Sequence, residues 1–425
     1  MSFPGVSTSG TSKPSPWQID TAEALSLLTD LVAINSVNPD LFPSGAGERD
    51  IAGHIASLMK SWGLEAEVVP LKGEQPGGTR ANVVGRLRGR NGGTGGATGA
   101  SGATAPARTL MLNGHLDTVG AEGMSIDPFR ARVEGDLVYG RGAGDMKCGL
   151  TSILLALKAL KAAAGAGSPL AGDVLFTGVA DEEYKSIGTE DAARRYKADA
   201  AVICESTGGR IVHTHMGFAW IDVEVRGRAA HGSDPETGVD AIVNAGKFLV
   251  AMDRFERNEL FRRRHPLIGP ASIHASLITG GKELSTYPDY CKVSLERRTI
   301  PGETEAAVKA EIEAIIASLK ATAPGFEASA AVTFFRPELE VPADAPIMEA
   351  LRGAARRVTG NDPMLVGGRG WTDCAILQAA GIPAVLYGPA GHGAHSAVEY
   401  CELASITQVA EVLCRLATDF CGWAE

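Results

Sequence analysis

Short apolar runs separated by helical stretches predict an α/β fold on a mixed, largely parallel sheet, with a smaller α+β domain inserted into it. Three observations carry this. The runs TLMLNGH, DVLFTGVADE, AAVICE and PAVLYGP read as buried strands, and segments such as GLTSILLALKALKAA between them read as helices. Between His213 and Glu327 the texture changes to alternating strands (WIDVEVRG, ASIHASLITG, YCKVSLERRT) with helices from Val239 and Glu303. Finally, 425 residues exceed what one hydrophobic core usually supports and suit two.

The elements follow in chain order. Residues 1–18 are rich in Ser, Thr, Gly and Pro and are expected to form a flexible tail. A helix begins after Asp20, a good N-cap, and a second runs from about Glu48 to Trp62. Residues 91–107, NGGTGGATGASGATAPA, are a low-complexity insert and an expected surface loop. The domains expected are 19–212 with 328–425 as the larger one, and 213–327 as the insert.

Composition excludes several classes of function. A net charge of −10 without a basic tract argues against nucleic acid, whose binding needs clustered Lys and Arg. No run of eighteen apolar residues and no signal-peptide pattern is present, so neither a membrane partner nor export by that route is expected. Seven cysteines without a CxxC pair suit a reducing cytoplasm.

Metal-type ligands gather where strands end, the place at which α/β sheets bind ligands. His115 stands in NGHLDTV, Asp145 in GRGAGDMK, Glu182 and Glu183 in ADEEY, Glu205 in ICEST and His395 in GAHSAVE. Hydrolysing an amide at neutral pH needs activated water, and a zinc-type ion lowers the pKa of bound water to about 7. Asp117, two residues past His115, can share its side of the chain and offer a carboxylate to the free imidazole N–H. His392 lies three residues before His395, but GPAGHGAH is too glycine-rich for a helix that would align both, so His395 is the expected ligand and His392 a rim residue. His213 and His215 are expected to make local hydrogen bonds, and Cys148 and Cys204 to be inert. Arg369 and Trp371 in GGRGWTDC are open between substrate contact and a structural role.

Six runs in order, GHLDTV, DPFRARVEGDLVYGRGAGDMKCG, DEE, GRAAHGSDPETGVDAI, RRTIPGET and GPAGHGAHSAVE, resemble the aminoacylase, acetylornithine deacetylase, succinyl-diaminopimelate desuccinylase and glutamate carboxypeptidase group of di-zinc metallohydrolases. The resemblance implies a zinc-exopeptidase-like catalytic domain with an inserted dimerisation or lid domain. It also implies two divalent ions per subunit, zinc first with cobalt or manganese as alternatives. Asp145 would bridge them, His115 and Glu205 would complete one site, Glu183 and His395 the other, and Glu182 would be the general base on a water shared by both ions. Asp117 would support His115, the Asp145–Met146 peptide would be cis, and Arg298 of the RRT run would grip a carboxylate on a small-molecule substrate. His231 would reach the site of a partner subunit in a homodimer. Three positions depart from the family pattern: Glu296 for an Asp, Ser285 for an Asn and Cys148 for a Gly. The activity implied is deacylation of a small N-acyl amino acid, with a dipeptidase or glutamate-carboxypeptidase-like peptidase as the alternative and a non-catalytic metal-binding protein of the same fold behind both.

Overall fold

A computed structural model describes residue 17 and residues 19–72, 78–90, 107–163 and 170–422. The tail expected at 1–18 therefore lies outside the described residues except for Trp17, which is buried, and all but Ala107 of the 91–107 insert lies outside them too. Contacts divide the chain into two units, one of Met1–Ile211, Asp344–Met364 and Leu386–Glu425, the other of Val212–Ala343 and Leu365–Val385.

In the first unit five strands stand in the order Glu65–Pro70, Ala81–Leu87, Val174–Val179, Leu110–His115, Ala200–Ile203. The first three pair antiparallel and the last three parallel. Leu110–His115, Val174–Val179 and Ala200–Ile203 are buried at every residue, which is why they read as continuous apolar runs and not as alternating ones. Helices Thr21–Ala33, Arg49–Ser61, Cys148–Ala163, Pro346–Thr359 and Leu403–Cys421 belong to this unit. Asp20 caps the first, its side chain accepting from the Ala22 amide at 2.9 Å. A small antiparallel sheet, Gly391–His392, Tyr400–Glu402, Leu137–Tyr139 and Arg132–Glu134, ties the approach to Asp145 to the segments flanking His395.

The second unit is an antiparallel sheet in the order Ser272–Gly280, Tyr290–Thr299, Gly217–Arg226, Glu327–Arg336, with helices Ala241–Asn258 and Glu305–Thr322 on one face. Burial alternates strictly along Gly217–Arg226 and Tyr290–Thr299. The inward residues Ile221, Val223, Val293 and Leu295 pack with Phe248, Val308 and Ile312 from the helices, each worth about 1.5–3 kcal/mol when fully buried. This unit runs past the boundary expected at residue 327. Glu327–Arg336 is one of its two edge strands, paired along its length with Gly217–Arg226, and Leu365–Val385 adds to the unit.

His213 and His215 each hydrogen-bond a backbone carbonyl through Nδ1, of Val341 at 2.8 Å and Met216 at 2.9 Å. Burial pushes the His215 imidazole down to about 4 from its ordinary value near 6.5. Between those values the unfolded chain takes up a proton that the folded chain refuses, so this contribution to stability is complete above pH 6.5 and is lost as pH falls toward 4, up to about 3 kcal/mol. His215→Asn, whose amide can keep the bond to Met216, is therefore expected to flatten the dependence of unfolding free energy on pH between 6.5 and 4. Chemical denaturation at several pH values measures this, and an unchanged slope would refute the assignment.

Candidate metal centre

Three adjacent strand ends and two connecting turns converge in the first unit. Leu110–His115 ends on His115, and its parallel neighbour Val174–Val179 stops just short of Asp181. The backbone of Asp181 is left-handed, with φ of 71°, a conformation costing about 1–3 kcal/mol in a non-glycine residue. It turns the chain so that Glu182 and Glu183, which an extended strand would send to opposite faces, can both serve one site. Ala200–Ile203 leads into Glu205. Asp145 comes from the tight turn Ala143–Lys147 that opens helix Cys148–Ala163, and the Asp145–Met146 peptide is cis. Gly149 lets that helix approach the strand end, because a Cβ there would lie 1.9 Å from the Cys204 carbonyl oxygen. His395 is also left-handed, with φ of 61°.

The side chains meet through Asp145. Its Oδ1 lies 3.0 Å from His115 Nε2, and its Oδ2 lies 3.5 Å from His395 Nε2. Glu205 Oε1 is 3.5 Å from His115 Nε2, and Glu183 Oε2 is 2.8 Å from His395 Nε2. Donor atoms of His115, Glu182 and Glu205 lie within 4.8 Å of one another, as do those of His115, Asp145 and Glu183. The structure thus brings together all six residues singled out at the strand ends.

The support of His115 differs from the expectation. Its Nδ1 lies 2.9 Å from the backbone carbonyl of Asp117 and 3.7 Å from the carboxylate. A carbonyl only accepts, so Nδ1 carries a proton, and Nε2 is the nitrogen turned toward Asp145 and Glu205. The Asp117 carboxylate is occupied elsewhere, accepting the amides of Glu182 at 3.1 Å and Glu183 at 3.2 Å and the side-chain amide of Asn38 at 2.8 Å. Its role is to hold the turn that presents the two glutamates.

Other supporting residues, Glu399 excepted, carry no local signal in the sequence. Asn38 also donates to Asp181 at 2.9 Å. Buried Arg80 pairs with Asp181 and Glu48 at 2.8 Å each and with Asp40 at 2.7 Å. Burial pushes the Glu48 carboxyl up to about 8 against the pull of Arg80. Glu399 holds the Asp145 turn: one oxygen accepts the amides of Gly144 and Asp145 at 2.9 Å each, and the other pairs with Arg141 at 2.5 Å. Glu399 closes the SAVE run that follows His395, which is the one signal that could have found it.

The electrostatics call for cations. Burial and the neighbouring Asp145 hold the Glu205 carboxyl well above its usual range, although His115 opposes this. Burial raises Glu183 as well, partly offset by its bond to His395. Burial alone would lower His115, but Glu205 and Asp145 outweigh it and hold the imidazole high. Glu183 Oε1 is buried without a hydrogen-bond partner among the described residues. Two imidazoles and four carboxylates, with one carboxylate between the two histidines, fit a pair of divalent ions.

Several candidates lie outside this cluster. His392 bonds Glu402 at 3.0 Å and stacks on Tyr400. Cys148 and Cys204 are buried, and burial pushes the Cys204 thiol up, away from reactivity. In the second unit Arg298 Nε donates to Glu296 at 2.7 Å, and exposed His231 pairs with Thr286 across an isolated bridge.

Residues 111–419 match the sequence profile of Peptidase family M20/M25/M40. The N-formyl-4-amino-5-aminomethyl-2-methylpyrimidine deformylase of Bacillus subtilis (strain 168) is 27% identical over 369 residues, 80% of this chain and 83% of that protein. Acetylornithine deacetylase of Myxococcus xanthus is 30% identical over 320 residues, 74% of this chain and 80% of that protein. The fold is shared with aminopeptidase PepT from Bacillus cereus ATCC 10987, at a TM-score of 0.73 and 21% identity, covering 94% of this chain and 98% of that one. A dinuclear metal-binding peptidase of family M20 from Bacillus subtilis gives a TM-score of 0.67 at 16% identity, covering 94% and 98%. With its profile matched over most of its length, the chain belongs to Peptidase family M20/M25/M40 and is a metallohydrolase of amide bonds, working as a deacylase or a peptidase.

Proposed function

We propose that this chain removes the acyl group from a small N-acyl amino acid. The observation that carries the chemistry is the position of Asp145 between two histidines, each with a glutamate beside it and with Glu182 next to His115 and Glu205. Deacylation is preferred over peptide cleavage because a deformylase and a deacetylase are among the relatives at 27% and 30% identity.

In this reading His115, Asp145 and Glu205 would hold one divalent ion, and Asp145, Glu183 and His395 would hold the other. When bound, these ions, zinc or alternatively cobalt or manganese, supply Lewis acidity that acidifies water and polarises the amide carbonyl. Glu182 takes the proton from the attacking water and passes it to the leaving nitrogen. Asp117 fixes the Glu182–Glu183 turn through its two amide bonds. Arg298 receives the substrate carboxylate; its bond to Glu296 uses Nε and leaves the planar fork of terminal nitrogens for two parallel bonds.

His231 acts in the partner's site of a homodimer, donating to the oxyanion of the reacting carbonyl. Its tautomer supports this. The Ser233 amide donates to His231 Nδ1 at 3.2 Å, so the proton is on Nε2. The edge strand Ser272–Gly280 supports pairing of two copies, with Leu277 and Ile278 69% and 55% exposed. Seven free, buried cysteines suit a cytoplasmic location, and no helix among the described residues is long and apolar enough to cross a membrane.

Three outcomes test this reading. Glu182→Gln is expected to keep its metal content, measured by elemental analysis, while turnover falls at least 10²–10⁴-fold; near-normal turnover would remove Glu182 as the base. Arg298→Ala is expected to raise KM about 10–100-fold for carboxylate substrates, with little change for the same compounds carrying a neutral amide. An unchanged KM in a panel of N-acetyl, N-succinyl and longer N-acyl amino acids beside dipeptides would refute the carboxylate role, and activity confined to the dipeptides would make the enzyme a peptidase. Finally, His231→Ala and Glu182→Gln chains, unfolded, mixed and refolded together, are expected to recover activity, because a mixed dimer has one site with both residues intact. Mixed dimers without activity would show that His231 does not act across the interface.

A further inference from the structure

The face of the second unit's sheet opposite its helices changes character along the strands. At one end it is polar, as a solvent-facing sheet should be, with Asp222 bonded to Lys292 and Ser294 at 2.7 Å each. At the other end the same strands carry rings and guanidinium groups. Arg298 stands opposite Phe218, which stands opposite Arg336; one row along, Glu296 is opposite Trp220, which is opposite Phe334.

These side chains form one patch. Ring centroids of Phe218 and Trp220 are 5.5 Å apart, those of Trp220 and Phe334 5.0 Å, and Trp371 meets Phe218 edge-on at 6.0 Å. The Arg298 guanidinium lies 5.2 Å from the Phe218 ring centre, and that of Arg336 lies 4.6 Å from Phe334 and 5.5 Å from Trp371. None of the four rings belongs to the buried core of the unit, and all are half-buried. Packing of the sheet on its helices does not account for them. Glu296 orients the Arg298 guanidinium, and rings beside guanidinium groups suit a planar π system.

We propose that the patch of Phe218, Trp220, Phe334 and Trp371 around Arg298 and Arg336 binds an aromatic ring on the carboxylate-bearing half of the substrate, so that the preferred substrate is an N-acyl aromatic amino acid. This rests on Arg298 receiving the substrate carboxylate, as argued above. In an aromatic amino acid the ring is joined to the carboxylate-bearing carbon through one methylene, so a carboxylate held by Arg298 puts the ring within reach of the aromatic cluster.

The test compares ligands of equal bulk with and without a π face. N-acetyl-phenylalanine and N-acetyl-cyclohexylalanine are titrated calorimetrically into metal-loaded, full-length Glu182→Gln protein, which removes turnover from the measurement. Binding of the aromatic ligand is expected to be about tenfold tighter. Adding Phe218→Leu or Trp371→Leu should bring the ratio to about one with little effect on the cyclohexyl ligand, whereas Trp371→Phe, which keeps a ring, should retain the preference. Equal affinities, no measurable binding of either ligand, or a ratio that survives both leucine substitutions would overturn the proposal. Turnover of the same pair by the unsubstituted chain separates the two ideas. Hydrolysis of both without aromatic preference would leave the deacylase reading standing and remove the patch. Aromatic selectivity in binding without hydrolysis of any N-acyl amino acid would do the reverse.

Discussion

The structure of the first unit is governed by the cost of gathering buried carboxylates at the ends of three neighbouring strands. Glu183, Asp117, Asp181 and Glu48 all have side chains that water scarcely reaches, Glu205 is half-buried beside them, and each buried carboxylate carries a desolvation penalty of several kcal/mol if it is ionised without a partner. The fold answers in two layers. The outer layer is satisfied by the protein itself, with Arg80 and Asn38 and the backbone amides of residues 182 and 183 as donors. The inner layer is left negative around Asp145, with two histidines as its neighbouring bases. A cluster arranged only for stability would have received a buried arginine there as well. The asymmetry between the layers is the physical signature of a cation site.

The outer layer also explains how strained backbone persists. Asp181 and His395 both sit in the left-handed region, which is uncommon for residues other than glycine. Asp181 is held there by Arg80 and Asn38 on its side chain, and its carbonyl accepts the Ser186 amide at 2.5 Å. Hydrogen bonds to charged groups contribute about 1.5–3 kcal/mol each, enough for two or three of them to offset the strain. The Asp145 turn is held in the same way by Glu399, which is fixed in turn by Arg141. Geometry at the centre therefore depends on residues outside the six that converge there.

This division sets what could be read from the sequence. His115, Asp145, Glu182, Glu183, Glu205 and His395 were legible because each follows a buried run or lies in a glycine-rich turn, and the run itself announces where the chain emerges from the sheet. Asn38 was not legible: its partners are 79 and 143 residues away, and a lone Asn in a loop has no periodicity. Arg80 likewise reads as the polar start of a strand until Glu48 and Asp181 are brought to it. The contact made by Asp117 is subtler. Spacing of two residues put it beside His115, but spacing cannot distinguish a side-chain oxygen from a main-chain one, and the carbonyl accepts the closer bond from Nδ1. The boundary at 327 failed for a compositional reason, since EASAAVTFFR alternates in burial but not visibly in hydrophobicity, its alanines and serine serving either face.

The adjacent arginines of the second unit show how a two-residue period separates the core from the outer face. Arg297 and Arg298 lie on one strand, so they point to opposite faces. Arg297 is fully buried, its Nη2 on Glu303 at 2.6 Å and its Nε on Glu311 at 3.3 Å, which clamps the helix Glu305–Thr322 and the turn before it to the sheet. Arg263 joins the same two glutamates. Removing Arg297 would leave Glu303 and Glu311 with Arg263 as their remaining cation and loosen the helix. Among the described residues Arg298 pairs with one carboxylate, Glu296, and has an aromatic ring beneath it. One strand thus carries an arginine locked into the core beside one left on the outer face, and the register of the strand decides which is which.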